Sequence, residues 1–154
     1  MTHKTSQPIH ILIADDDPDD CLLLTEALRE CSVNNQVHFV HDGEQLMDYL
    51  HHRPPYEDAQ KYPLPGFLLL DLNMPRKDGR EALAEIKSDQ RLHSIPVVVL
   101  STSSSREDVL ESYESGANAY LTKPTSFSGL RDVAQTLGRY WLELAELPVV
   151  HQNR

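Results

Sequence analysis

The runs F-L-L-L at 67–70 and V-V-V-L at 97–100 contain no polar residue. Successive side chains of a strand point to opposite faces, so a strand of this composition is stable in water only within a sheet covered on both sides, the usual setting of parallel strands. Further short runs lie at 9–14, 37–41 and 119–123, and segments of helical period fall between them at about 18–31, 43–51, 79–88, 106–115 and 126–146. The run V-H-F-V-H at 37–41 does alternate, which suits an edge strand. Five β/α units joined by right-handed crossovers give an α/β fold: a doubly wound parallel sheet with helices on both faces. Such sheets bind ligands beyond the carboxyl ends of their strands.

The chain of 154 residues fits a single domain. Its 24 acidic and 14 basic residues give a net charge of -10 with no basic cluster, which speaks against nucleic-acid binding. No stretch offers about 18 consecutive apolar residues, so no membrane span is expected and the cytoplasm is the default location. Cys21 and Cys31 lie ten residues apart on one expected helix, too far to bridge, and read as reduced thiols. Asp48, His51 and His52 could suggest a metal, but adjacent histidines leave a helix on different sides and no further ligands are spaced to help. Four prolines stiffen the long connection at 51–66, which reads either as a neutral insertion or as a partner-contact loop.

Chemistry-bearing residues collect at the strand ends. The first strand ends in Asp15 and Asp16, the third in Asp71, the fourth in Ser101 and the fifth in Lys123. Two carboxylates about 4 Å apart repel by roughly 4 kcal/mol at an effective dielectric near 20, so three in one crevice call for a hard divalent cation. Mg2+ is the implied cofactor. A cation beside a free carboxylate, with a hydroxyl and an ammonium nearby, is what phosphoryl transfer requires, with Asp71 as a nucleophile forming an aspartyl phosphate.

The motifs A-D-D-D-P, L-L-L-D-L-N-M-P-R-K-D-G, V-V-V-L-S-T-S and G-A-N-A-Y-L-T-K-P, in that order, resemble the receiver domain of two-component response regulators over about residues 8–140. The resemblance implies a flavodoxin-like strand order 2-1-3-4-5. It implies that Asp15 and Asp16 hold Mg2+ together with Asp71 and the backbone carbonyl of Asn73, and that Asp71 accepts the phosphoryl group. Ser101, favoured over Thr102, would contact that group, Lys123 would pair with it, and Tyr120 would be the aromatic residue that turns inward on switching. In receivers the peptide before the matching proline, here Lys123–Pro124, is commonly cis. Asn73 and Ser103 stand where receivers tune the loss of the phosphoryl group.

The C-terminal stretch from Arg139 to Val150 is richer in large apolar groups than one buried stripe requires. Leu130, Val133, Leu137, Trp141 and Leu144 fit a core face, which leaves Tyr140, Leu142, Leu147, Val149 and Val150 for a partner surface or a homodimer. This tail and the 51–66 loop resemble single-domain response regulators that accompany bacterial phytochrome histidine kinases. The expected function is therefore phosphoryl transfer from a kinase phosphohistidine to Asp71, with output through protein contacts or onward relay; the only chemistry of its own would be that transfer and later hydrolysis. An aspartate-nucleophile phosphatase would want an acid where Asn73 stands, and a flavodoxin would want a hydroxyl-rich phosphate loop in place of D-D-D-P-D-D. An adapter with a vestigial site conflicts with the intact Asp71, Ser101 and Lys123. Of the five aspartates at 15–20, two are assigned to chemistry and three to the architecture of the next helix: Asp17 as its cap, and Asp19 and Asp20 in its first turn, where the helix dipole favours negative charge.

Overall fold

A computed structural model describes residues 8–31 and 34–148. The elements run β1 Ile9–Ala14, α1 Pro18–Arg29, β2 Asn35–Val40, α2 Gly43–Leu50, β3 Phe67–Leu70, α3 Gly79–Ser88, β4 Val97–Ser101, α4 Arg106–Glu114, β5 Ala119–Thr122 and α5 Phe127–Leu137. The five strands are parallel and ordered β2-β1-β3-β4-β5, as expected.

Alternation along the central strands explains their composition. Leu12, Leu68, Leu70, Val97 and Val99 face Leu46, Leu50, Leu83 and Ile86 of α2 and α3. Their neighbours Ile11, Ile13, Phe67, Leu69, Val98 and Leu100 face Leu24, Leu28, Leu130 and Ala134 of α1 and α5. Both faces of β3 and β4 are thus dry, and every residue of the two strands is buried. The edge strand β2 keeps a half-buried pattern.

The C-terminal helix departs from the expected 126–146 span. It is α-helical to Leu137 and then widens into a π-helical segment, Gly138–Leu144. Widening from i+4 to i+5 bonding shifts the register by one residue per turn, so the face expected from an α-helix does not persist. Leu142 is consequently buried at 0% exposure, whereas Leu144 is 70% exposed, the reverse of their expected roles. Gly138 sits where this segment crosses the end of α1; a Cβ there would lie 2.2 Å from Cys31 Sγ. Trp141 stacks on Phe67 at 5.4 Å between ring centroids, and Tyr140 stays exposed. Val149 and Val150 lie outside the described residues.

One other expectation is corrected. The cis peptide among the described residues is Pro54–Pro55, and Lys123–Pro124 is trans. The Lys123 backbone N–H is fixed on the Ser101 carbonyl at 2.6 Å, and its side chain reaches inward from that trans geometry. The 51–66 connection is a packed cover: Leu64 is buried, and Tyr56 and Tyr62 pack against Tyr49 of α2 at 5.3 and 5.7 Å. His52 contacts the Tyr62 carbonyl and Asp48 pairs with Arg53, which ties both to this loop.

Under this cover, His10 and His38 stack at 6.1 Å, with His10 Nδ1 and His38 Nε2 buried and unpartnered. Burial lowers both imidazoles from their ordinary 6.5, and His38 adds repulsion at His10. A lowered histidine in the fold means that the unfolded chain takes the proton first. Their contribution is therefore complete above pH 6.5 and is lost as pH falls through the folded values. His38→Phe should flatten this loss: between about pH 7.5 and 5.5 its melting temperature should fall less than that of the wild type. Equal or steeper falls on differential scanning fluorimetry would show that these rings carry no acid sensitivity.

Candidate functional site

In a parallel sheet every strand ends at the same pole and every following helix begins there, so the pole collects strand-end side chains and helix caps together. The first turn of α1 shows how the aspartate cluster is divided. Asp17 caps the helix, accepting the N–H groups of Asp19 at 2.9 Å and Asp20 at 3.4 Å, and Pro18 occupies the first turn, where its missing donor costs nothing. Asp15 points into the site instead, one oxygen accepting the Asp17 N–H at 2.9 Å.

Lys123 binds the pole together. Its Nζ donates to Asp15 Oδ2 at 2.7 Å, Asp20 Oδ2 at 3.1 Å and Asp71 Oδ2 at 3.4 Å, three carboxylates for three protons. The Lys123, Asp15 and Asp71 side chains are 7%, 3% and 8% exposed. The sequence gives Asp20 only a helix-dipole role in the first turn of α1; the structure places it within the ion-pair cluster as well. The signal was its position one turn into a helix that starts at this pole, but a linear spacing does not reveal a partner 103 residues away.

Burial raises the Asp15 and Asp71 carboxyl groups above their ordinary value, with Lys123 working in the opposite direction. For Lys123 burial alone would favour loss of the proton, yet Asp15, Asp71 and Asp20 outweigh it and the ammonium is held more tightly than usual. One ammonium does not balance the acidic pole. Asp15, Asp16 and Asp71 each bring a ligand oxygen to within 4.8 Å of the others, and Asp16 is exposed, leaving a side open to water. Three converging carboxylates with room for retained waters fit a hard divalent cation.

Asp71 lies directly after β3, its Oδ1 accepting the Asn73 N–H at 3.1 Å. Ser101 ends β4 fully buried, whereas Thr102 is exposed. Its Oγ accepts the Ser103 N–H at 3.3 Å and lies 3.5 Å from Asn73 Nδ2. Tyr120, half-buried on β5, donates its hydroxyl to the Ser103 carbonyl at 2.7 Å. Gly79 opens α3 so close to the third strand that a Cβ would lie 2.3 Å from the Asp71 carbonyl oxygen, which fixes the helix against the site.

Residues 11–135 match the model of the response regulator receiver domain. The chain belongs to that family. Its receiver sequence is 40% identical to the response regulator Rcp1 of Synechocystis sp. over 96% of this chain and 99% of that relative. Among solved structures it resembles the Mn(2+)-bound form of Rcp1, with a TM-score of 0.87 and 41% identity over 92% of this chain and all of the other. It also resembles the phosphorylated cyanobacterial phytochrome response regulator RcpA, with a TM-score of 0.88 and 42% identity over 93% of this chain and 100% of that one. This receiver is accordingly a phosphorylation-dependent signalling protein, and neither the phosphatase nor the vestigial-adapter alternative is favoured. No helix among the described residues is long and apolar enough to cross a membrane.

Removing the central ammonium tests this electrostatic picture. Lys123→Met leaves buried carboxylates unpaired and should destabilise the metal-free protein by about 3 kcal/mol in chemical denaturation. Added divalent cation should recover more stability in this variant than in the wild type. A loss below about 0.5 kcal/mol, the ordinary range of a surface substitution, would mean that Lys123 does not hold the pole.

Proposed function

We propose that Asp71 accepts a phosphoryl group from a phosphohistidine of a histidine kinase, in a reaction assisted by Mg2+. The observation that carries this reading is the setting of the Asp71 carboxylate. One oxygen is held by the Asn73 N–H at 3.1 Å, and the other lies 3.4 Å from Lys123 Nζ within the Asp15, Asp16 and Asp71 cluster. A carboxylate oxygen of Asp71 attacks phosphorus, the P–N bond breaks, and its electron pair leaves with the imidazole, which is protonated to its neutral form.

Asp15, Asp16, Asp71 and the Asn73 backbone carbonyl are the groups that would hold Mg2+. When bound, the ion neutralises charge on the transferring oxygens. Lys123 supplies the fixed positive charge, and Ser101 supplies a hydroxyl that follows the phosphoryl group once it is in place. Tyr120 then repacks as the Ser101 to Ser103 segment moves. Water later cleaves the acyl phosphate, so the protein's own chemistry is that transfer and this hydrolysis.

The likeness to phytochrome response regulators supports a phytochrome histidine kinase as the donor. A homodimer through the C-terminal region is supported by an apolar groove between β5 and α5, lined by Ala119, Leu121, Val133, Leu137, Tyr140 and Trp141, and by the exposure of Leu144.

Intact-mass spectrometry after incubation with acetyl phosphate and Mg2+ tests the chemistry. Wild type and Asp19→Ala should gain one phosphoryl mass, whereas Asp71→Asn and Asp16→Ala should not. An unmodified wild type would sink the proposal, and sustained enzyme-like turnover of acetyl phosphate would favour a phosphatase.

A further inference from the structure

Outside the cluster of acids, one hydrogen-bonded chain connects the site to α4. Its fixed end is Arg80, in the first turn of α3, the helix that Gly79 seats directly on the Asp71 backbone. Arg80 Nη1 donates to both oxygens of Asp78, the α3 cap, at 3.1 and 3.0 Å. Its Nε and Nη2 meet Asp108 of α4 at 3.0 and 2.9 Å, the two-pronged geometry that makes guanidinium–carboxylate pairs strong and directional.

Asp108 also accepts the Ser103 hydroxyl at 2.6 Å, and the Ser103 N–H in turn donates to Ser101 Oγ at 3.3 Å. Arg80 and then Ser103 hold the Asp108 carboxyl down at about 2, so the pair stays charged across any working pH. The other ties of α4 are also polar, among them the Tyr113 hydroxyl, which accepts the Tyr120 N–H at 3.1 Å. The helix buries Ser112 but leaves Leu110 59% and Tyr113 48% exposed, so its placement depends on polar ties.

We propose that the Arg80–Asp108 pair is a latch that holds the Ser101 to Ser103 segment in its resting place and thereby sets how readily the site accepts a phosphoryl group. This rests on the reading of Asp71 as acceptor and of Ser101 as the hydroxyl that follows the phosphoryl group. For Ser101 to advance on Asp71, Ser103 either releases Ser101 Oγ or moves with it. Movement pulls its hydroxyl from Asp108, or draws Asp108 from an Arg80 that cannot follow. Either route costs an interaction that the resting arrangement keeps. Arg80 and Asp108 are positioning residues, acting through Ser103.

Beryllofluoride, an acyl-phosphate mimic, measures the cost of switching when titrated calorimetrically into the Mg2+-loaded protein. Arg80→Ala and Asp108→Asn should each lower the half-saturating concentration by about 3- to 10-fold, the range of a partly shielded charged pair. The double variant should match the single ones, because either change opens the same latch. Arg80→Lys, which keeps the charge but loses the fork, should fall between. In the metal-free protein, the α4 amides should exchange hydrogen faster in both single variants than in the wild type. Unchanged or weaker beryllofluoride binding, multiplicative effects in the double variant, or unaltered exchange of α4 would overturn the latch. A wild type that binds no beryllofluoride would overturn the acceptor reading itself, and the latch's role with it, a result distinct from normal binding that the variants fail to shift.

Discussion

The contact of Lys123 with Asp15, Asp20 and Asp71 is the interaction on which the rest of this structure depends. Carboxylates brought out of water at one point repel and lose hydration, and only a matching positive charge makes their approach tolerable. One ammonium meets this need incompletely, since three acids surround it and Asp16 stands beside them. The pole therefore keeps an unsatisfied demand for positive charge. The same imbalance that strains the fold gives the site its capacity for a cation and for a reaction in which negative charge is moved.

The scaffold delivers these groups without special devices. Parallel strands end together, so β1, β3, β4 and β5 present Asp15, Asp71, Ser101 and Lys123 at one edge by topology alone. Helices begin at that edge, and their caps are acids or hydroxyls: Asp17, Asp42, Asp78, Ser105 and Ser126. Capping and chemistry thus draw on the same residue types within a few ångströms. Asp20 serves both, sitting in the first turn of α1 while it pairs with Lys123. The α3 end of the pole is rigid because Gly79 lies against the Asp71 backbone, whereas α4 is held largely by polar contacts. That contrast marks α4 as the side of the site free to respond.

The strands and the strand-end residues were legible because burial on both faces removes every polar residue from a run and makes its end conspicuous. F-L-L-L followed by Asp71 and V-V-V-L followed by Ser101 need no further information. The π-helical segment was not legible, since widening is a backbone event that residue periodicity does not announce. Gly138, seated against Cys31, is its nearest marker, and the exchange of Leu142 for Leu144 in the core follows from it. The Arg80–Asp108 pair was hidden for another reason: its partners are 28 residues apart on two solvent-facing helices, where charges are ordinary. The trans Lys123–Pro124 peptide departs from what the family resemblance implied, yet Lys123 still reaches all three acids.

The central claim is that this charged pole makes the Asp71 carboxylate, and no neighbouring acid, the one that takes a phosphoryl group. Borohydride reduces an aspartyl phosphate to homoserine and leaves free carboxylates untouched, so treatment after incubation with acetyl phosphate and Mg2+ marks the acceptor permanently. Peptide mass spectrometry should then find homoserine at position 71 and aspartate at positions 15, 16 and 20. Homoserine at any of those three positions, or at none of the four, would contradict the account.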